Sequence, residues 1–179
     1  MDLKAARSPG RLYAWLWFVA IFAALAYAGR FAGGFEEDTE PLYEWTTGIL
    51  GLVQFAIVAG VVLLIAMRAP KRELFALRRP SSWWRALGIS VLIYIGMFLL
   101  SLAMSPFLDP AAEQGLVPES WPPPSAAAFA LNAFVVIAIA PVVEELTFRG
   151  LGFSLLLRFG PRAAIVGTAV AFTLAHGLV

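Results

Sequence analysis

The segment Ala140-Pro-Val-Val-Glu-Glu-Leu-Thr-Phe-Arg-Gly150 places three charged side chains, those of Glu144, Glu145 and Arg149, inside a long apolar run. An ionised side chain at bilayer depth costs about 2.5–3.5 kcal/mol on insertion scales. Such a group is retained only where it has a partner or a function. We therefore expect this segment to contain the functional site of a membrane protein.

The whole chain is more apolar than a soluble protein. Of its 179 residues, 60% are hydrophobic and 14% are charged, and the mean hydropathy is +0.80. Soluble domains are about 45–50% apolar and about 25% charged. The composition predicts an all-α, polytopic membrane helical bundle that forms a single membrane domain over residues 1–179. The chain contains no cysteine, which excludes disulfides and thiolate metal sites.

Five apolar runs have the length of membrane-spanning helices. They predict helices at 12–29, 47–67, 86–107, 126–158 and 163–179. We expect the fourth helix to be kinked or broken near Pro141, because proline removes a backbone donor and clashes with the preceding turn. The second helix contains one strongly polar interior residue, Gln54, which we expect to form an interhelical hydrogen bond.

The charges between these runs alternate in sign along the chain. The N-terminus and residues 68–85 are basic, whereas residues 30–45 and 108–125 are acidic. By the positive-inside rule, this pattern predicts a multi-pass protein of the cell (inner) membrane with a cytoplasmic N-terminus. The basic segment 68–85 suffices as a topology determinant, and it could also bind anionic lipid heads. We expect membrane lipids as partners and no nucleic acid, and the cysteine-free, Ala-, Arg- and Leu-rich composition is typical of a bacterial source.

The only histidine, His176, lies in a second apolar run that follows a turn at Gly160-Pro161. Positions 145 and 176 are equally far from that turn, by about 15 residues or roughly 23 Å of helix. A helical hairpin folded at Gly160-Pro161 would therefore bring Glu144 and Glu145 level with His176. The pattern predicts two carboxylates and an imidazole at one depth.

Helical spacing separates the roles of these groups. Glu145 and Arg149 are four residues apart with the acid first, the favourable order for an ion pair. Glu144 points about 100° away from Glu145 and can face the helix of His176, which shares a face with Phe172. Glu144 and His176 could then polarise a water molecule as a general base and its helper. The purely structural alternative is an ion pair and a hydrogen-bonded histidine that hold two helices together.

These residues resemble a known family. Glu144-Glu145-x-x-x-Arg149 followed by Phe172-x-x-x-His176 is similar to the first two motifs of the CPBP intramembrane proteases, also called the CAAX prenyl protease type II or Abi family, which includes bacteriocin self-immunity proteins. The resemblance covers residues 125–179. It implies an endopeptidase that hydrolyses a peptide bond of a membrane-associated peptide or protein, with Glu144 activating water and His176 assisting it.

The resemblance also implies supporting groups and a cofactor. Glu145 and Arg149 would complete the first motif structurally or by positioning the substrate, and Phe172 belongs to the second motif. His176 and Glu144 would be the ligands of a divalent metal such as zinc, unless the glutamate acts without a metal. Glu145 could supply a third ligand, although Arg149 competes for it. The family's third motif, a second histidine followed by Asn or Asp, would come after Val179, so we expect a C-terminally truncated sequence.

Three other interpretations remain beside the protease. A serine intramembrane protease would pair Ser154 with His176, but in the hairpin the two differ in depth by roughly 13 Å. A non-catalytic homologue would act as an immunity or scaffold protein, in keeping with the missing third motif. An ion-coupled transporter would use Glu144 and His176 as a proton relay, but the chain shows few spans and no internal repeat.

Overall fold

The computed structural model describes residues 8–32, 41–77, 79–106 and 125–176, and each regular element in these ranges is helical. The helices are α1 (Pro9–Ala32), α2 (Trp45–Ile65), α3 (Lys71–Leu74), α4 (Trp83–Met104), α5 (Ala126–Phe159) and α6 (Pro161–His176). Within the described residues, α1, α2, α4 and α5 are long and apolar enough to cross a membrane. The prediction of an all-α membrane bundle is confirmed.

Each of the five expected spans differs from its predicted bounds, by no more than three residues at every described end. Helix α6 has 16 described residues, and the rest of the predicted run to 179 lies outside the described part of the chain. Helix α4 begins at Trp83, three residues before the predicted start at 86. The Ser82 hydroxyl accepts a hydrogen bond from the Arg85 amide, which caps the helix and draws the two tryptophans into its first turn.

By its internal contacts the chain forms two compact units, Arg78–Pro123 with α4, and Met1–Leu77 together with Pro124–Val179. The second of these contains all the candidate site residues.

Helix α5 continues through Pro141 without a break, while a kink near Pro141 stays a prediction. Residues Val135–Ile139 form a π-helical segment in which the Ala140 amide donates to the Val135 carbonyl, five residues back. The residues flanking Pro141 keep right-handed helical dihedral angles. In a regular α-helix, Pro141 would lose one backbone hydrogen bond and its ring would clash with the preceding turn. The wider π-helical turn just before the proline lets the helix continue. A second π-helical segment, Glu145–Gly152, follows at once.

Helices α2 and α5 run parallel and close together through two glycines. A methyl group on Gly48 would lie 2.8 Å from the Leu131 side chain, and one on Gly51 would lie 3.1 Å from Val135. Both contacts advance along the two helices in the same direction. The buried Asn132 amide fixes the start of this pair by donating to backbone carbonyl oxygens of Leu42 and Glu44.

Helix α1 runs antiparallel to α2 and covers the second half of α5. At its start, the Arg11 guanidinium donates to the Ile65 and Met67 carbonyl oxygens at the end of α2. Basic groups stabilise this end of a helix because its last carbonyls lack intrahelical partners. One turn further along α1, Trp15 is fully buried, and its indole N–H donates to the Thr147 carbonyl at 3.0 Å. Trp15 thus anchors the second π-helical segment.

The turn between α5 and α6 lies where the sequence predicts it. Gly160 has φ +100°, a conformation that glycine adopts without a steric penalty, and Pro161 begins α6. Leu156 packs against Gly167 across the hairpin. The close approach allowed by this glycine brings the two helices that carry the predicted site residues into contact.

Candidate functional site

Glu144 and His176 meet across the hairpin. Glu144 ends the short α-helical stretch between the two π-helical segments of α5, and His176 is the last described residue of α6. The Glu144 Oε1 atom lies 3.4 Å from His176 Nε2. This distance is longer than a normal N–H···O hydrogen bond, and catalytic hydrogen bonds are often long before a substrate binds. The structure thus brings together the two groups that the sequence singles out.

The hydrogen bond of the other imidazole nitrogen determines which nitrogen of His176 carries the proton. His176 Nδ1 lies 2.8 Å from the Phe172 carbonyl oxygen. A carbonyl oxygen can only accept, so this contact places a proton on Nδ1. In the neutral ring, Nε2 is then a base facing Glu144, and in the imidazolium it is a donor to the carboxylate. The pair can therefore exchange a proton with a molecule bound beside it.

The pair is accessible, unlike a contact that only joins helices. The side chain of His176 is 45% exposed and that of Glu144 is 28% exposed. Aromatic side chains hold the imidazole from one side: the Phe172 ring lies 4.1 Å from it between centroids, and Phe148 meets Phe172 edge to face at 5.3 Å. These contacts restrict the orientation of His176 while leaving Nε2 free to face Glu144.

Glu145 does not join the pair. It forms an ion pair with Arg149, as the spacing predicts, and both side chains are more than half exposed. Of the two adjacent carboxylates, Glu144 contacts His176 and Glu145 pairs with Arg149. The physical reason is the rotation of successive residues around a helix, which turns Glu145 towards Arg149.

Two cavities meet at Glu144. The first, the arginine cavity, has a volume of about 520 Å³ and contains the Glu145–Arg149 pair. The second, the histidine cavity, has a volume of about 490 Å³ and is predominantly apolar. Glu144, Pro141 and Phe148 line both. The arginine cavity is lined in addition by Glu145, Arg149, Phe153, Ile165, Thr168, Ala169, Phe172 and Thr173. The histidine cavity is lined in addition by Phe18, Phe22, Ala26, Gln54, Phe55, Val58, Val136, Ala140, Val143, Thr147, Ala175 and His176. Glu144 can thus be reached from an apolar and from a more polar side.

A catalytic zinc requires three protein ligands, and the residues that the structure describes do not gather three. No group of three His, Asp or Glu side chains among them is placed to hold a metal ion. Glu144 and His176 supply two donors, and Glu145 is turned to Arg149. These residues alone do not fit a catalytic zinc, and no chemical step is assigned to a metal.

Trp15 and Gln54 have contacts near the site that the sequence pattern does not predict. Trp15 in α1 contacts the segment Glu145–Gly152 through its hydrogen bond to the Thr147 carbonyl. The two residues are 132 positions apart, so no local sequence pattern predicts this contact. Gln54 makes no hydrogen bond to any protein group within the described residues, so the expected interhelical bond is wrong there; its side chain lines the histidine cavity instead. Ser154, the candidate of the serine-protease alternative, is buried and lines neither cavity.

Comparison with known proteins agrees with the motifs. Residues 126–179 match the family model described as Type II CAAX prenyl endopeptidase Rce1-like. The matched segment contains α5 and α6, and with them Glu144, Glu145, Arg149, Phe172 and His176. The match confirms, over this part of the chain, the resemblance drawn from the two motifs. No curated protein and no solved structure matches the chain.

Proposed function

We propose that this protein is an intramembrane endopeptidase, which hydrolyses a peptide bond of a membrane-associated peptide or protein. The observation that carries the proposal is the accessible pair of Glu144 and His176, 3.4 Å apart at the meeting point of two cavities. The similarity of residues 126–179 to the CAAX prenyl endopeptidase family supports the same class of reaction. The helices long enough to span a membrane support a reaction in or beside a bilayer.

The proposed chemistry needs one water molecule. Glu144 takes a proton from the water molecule while the oxygen atom of the water bonds to the peptide carbonyl carbon. The C–N bond then breaks and the proton passes to the departing nitrogen, which leaves a carboxylic acid and an amine. His176, with its Nδ1 proton held by the Phe172 carbonyl, relays the proton through Nε2 or, as the imidazolium, donates from Nε2 to the Glu144 carboxylate. Such general acid–base assistance contributes typically 10²–10⁴-fold to a rate.

Glu145 and Arg149 have a supporting role in this proposal. Their ion pair is exposed, and exposed pairs contribute only about 0–1 kcal/mol to stability. The pair instead supplies charge at the wall of the arginine cavity, where a polar part of a substrate can lie. The basic residues before α4 and at the N-terminus support a cytoplasmic N-terminus in a cell membrane.

The test is hydrolysis by the protein reconstituted into lipid vesicles together with single-span apolar peptides that carry a fluorophore and a quencher. We expect Glu144→Gln and His176→Ala to lower kcat/KM by about 10²–10⁴-fold while thermal stability is retained. Glu73→Gln, the same chemical change on the exposed face of α3, serves as the control and should leave the rate unchanged. Equal rates for wild type and both site variants would refute the assignment.

One observation favours a second candidate, a non-catalytic membrane homologue that binds a partner as an immunity or scaffold protein. Within the described residues, the site consists of one carboxylate and one imidazole, short of three metal ligands. The two candidates differ in a measurable way. The non-catalytic protein would keep its biological activity in Glu144→Gln and His176→Ala wherever folding survives, whereas the endopeptidase would lose it.

A further inference from the structure

Gln54 is a polar side chain in the middle of the apolar helix α2, and no group in the described residues forms a hydrogen bond with it. It is exposed, it lines the histidine cavity, and its carboxamide makes no hydrogen bond within the part of the chain that the structure describes. An amide without a partner in a hydrocarbon environment costs on the order of several kcal/mol. A carboxamide at such a place can pair with a polar group that enters the cavity.

The other walls of the cavity show which groups can meet that partner. Most lining residues are apolar. The Thr147 hydroxyl is already engaged, because it donates to the Val143 carbonyl at 2.7 Å. The polar side chains open to a bound molecule are therefore those of Gln54, Glu144 and His176, of which only Gln54 is a carboxamide. Its carboxamide presents N–H donors and a carbonyl acceptor, the same complement as a peptide group.

A peptide substrate in a bilayer needs this complement. An apolar segment crosses a membrane as a helix, since its backbone groups find no water there. Hydrolysis requires that the helix open around the bond to be cleaved, which exposes backbone N–H and C=O groups in an apolar cavity. Each such group left unpaired is costly. A carboxamide on the cavity wall compensates for this cost by pairing with one opened peptide group.

The register of α2 against α5 gives the offset, along the helix axes, between Gln54 and Glu144. Gly48 packs on Leu131 and Gly51 packs on Val135, and this parallel alignment places Gln54 beside Ala138. Glu144 lies six positions further along α5, which is about 9 Å at 1.5 Å per residue. An extended chain covers that distance in two or three residues. This axial offset places Gln54 beside the backbone next to the bond being cleaved.

Resting on the endopeptidase function proposed above, we propose that Gln54 binds the substrate backbone, pairing its carboxamide with one peptide group two or three residues from the scissile bond. Its role is substrate binding and register selection. The position of cleavage then depends on which backbone group Gln54 holds, whatever the side chains of the substrate are.

The test compares Gln54→Met with Val53→Met in the vesicle assay. Methionine keeps the length of glutamine but removes its donor and acceptor, and Val53 is an exposed neighbour that lines neither cavity. We expect Gln54→Met to raise KM about tenfold, equivalent to about 1.4 kcal/mol, with kcat within about twofold of wild type. Val53→Met should leave both constants unchanged. Equal KM values for the two variants would overturn the proposal.

Substrates with single N-methylated amides locate the contact. N-methylation two or three residues from the cleaved bond should weaken wild-type turnover and have little further effect on Gln54→Met, because the two changes remove the same hydrogen bond. Identical N-methylation profiles in the two proteins would contradict the contact.

Peptide binding to cleavage-deficient Glu144→Gln separates this inference from the proposed function. If the additional change Gln54→Met weakens binding about tenfold, the contact stands even where wild type cleaves nothing. If binding is unchanged, the contact is refuted even where cleavage succeeds.

Discussion

The contact between Gly152 and Trp15 offers a direct test of how the second π-helical segment is held. A methyl group on Gly152 would lie 2.3 Å from Trp15 Cζ2 and 2.7 Å from Cε2, far inside the ordinary contact distance of about 3.5–4.0 Å. Trp15 is fully buried and is tied to the Thr147 carbonyl, so the ring has no free space into which it can move. Gly152→Ala must therefore displace either the indole or the segment that follows Glu145.

Two effects of opposite sign set the magnitude. Replacing glycine by alanine inside a helix stabilises by up to about 1 kcal/mol. Overpacking in a filled core costs typically about 1–3 kcal/mol, and more where, as here, the overlap exceeds 1 Å. We expect a net loss of about 1–2 kcal/mol, or roughly 2–4 °C in Tm per kcal/mol for a chain of this size. Gly60→Ala is the matched control, because nothing lies within 4 Å of a methyl group there; it should be neutral or slightly stabilising.

Combining the change with Trp15→Phe isolates the overlap. Trp15→Phe alone removes the indole N–H donor and leaves a gap, at a cost of about 1–3 kcal/mol. In that background the methyl group of Gly152→Ala enters the space left by the smaller ring, so the double variant should be more stable than the sum of the two changes predicts. Thermal unfolding in detergent micelles, followed by far-ultraviolet circular dichroism, measures all four proteins. Trp15 does not pack against Gly152 as described if Gly152→Ala has the same Tm as Gly60→Ala. The same holds if the effects of Gly152→Ala and Trp15→Phe on stability are additive.

Two further predictions concern the polar groups of the same unit. Asn132→Leu should lower the stability by about 1–3 kcal/mol in the same unfolding assay, because the buried amide donates to three carbonyl oxygens and joins the start of α2 to α5; an unchanged Tm would contradict that link. Arg149→Met should change the free energy of unfolding by less than about 1 kcal/mol, because its ion pair is exposed. It should lower the cleavage rate if the arginine cavity receives the substrate. A large loss of stability in Arg149→Met would instead assign the pair a structural role.

Much of the site follows from the pattern of the chain. The apolar runs locate α1, α2, α4 and α5 to within a few residues, because hydrophobicity over a span length is a local property. Gly160-Pro161 locates the turn, and equal distances from it place Glu144 and His176 at one depth. A helical hairpin with a known turn leaves little freedom in which residues lie side by side.

Other features escaped the sequence because they depend on backbone detail. Pro141 predicts a kink or a break. The helix does not break, because a π-helical turn before the proline continues it, and no residue type predicts such a turn reliably. The path of the helix backbone also determines the direction of the Glu145 side chain. Spacing allowed it to serve as a third ligand, but the helix turns it to Arg149 and away from His176.

Local sequence patterns predict that this chain forms membrane-spanning helices, where its hairpin turns, and that Glu144 and His176 come together. Those outcomes rest on hydrophobic length, backbone preference and helical rise, which act between neighbours in the chain. Only the tertiary structure decided that Trp15 supports the motif segment and that Gln54 faces the same cavity as Glu144. Residues about 90 or more positions apart meet only through the choice of which helix faces pack together, and that choice depends on the fit of glycines and large side chains across the whole unit.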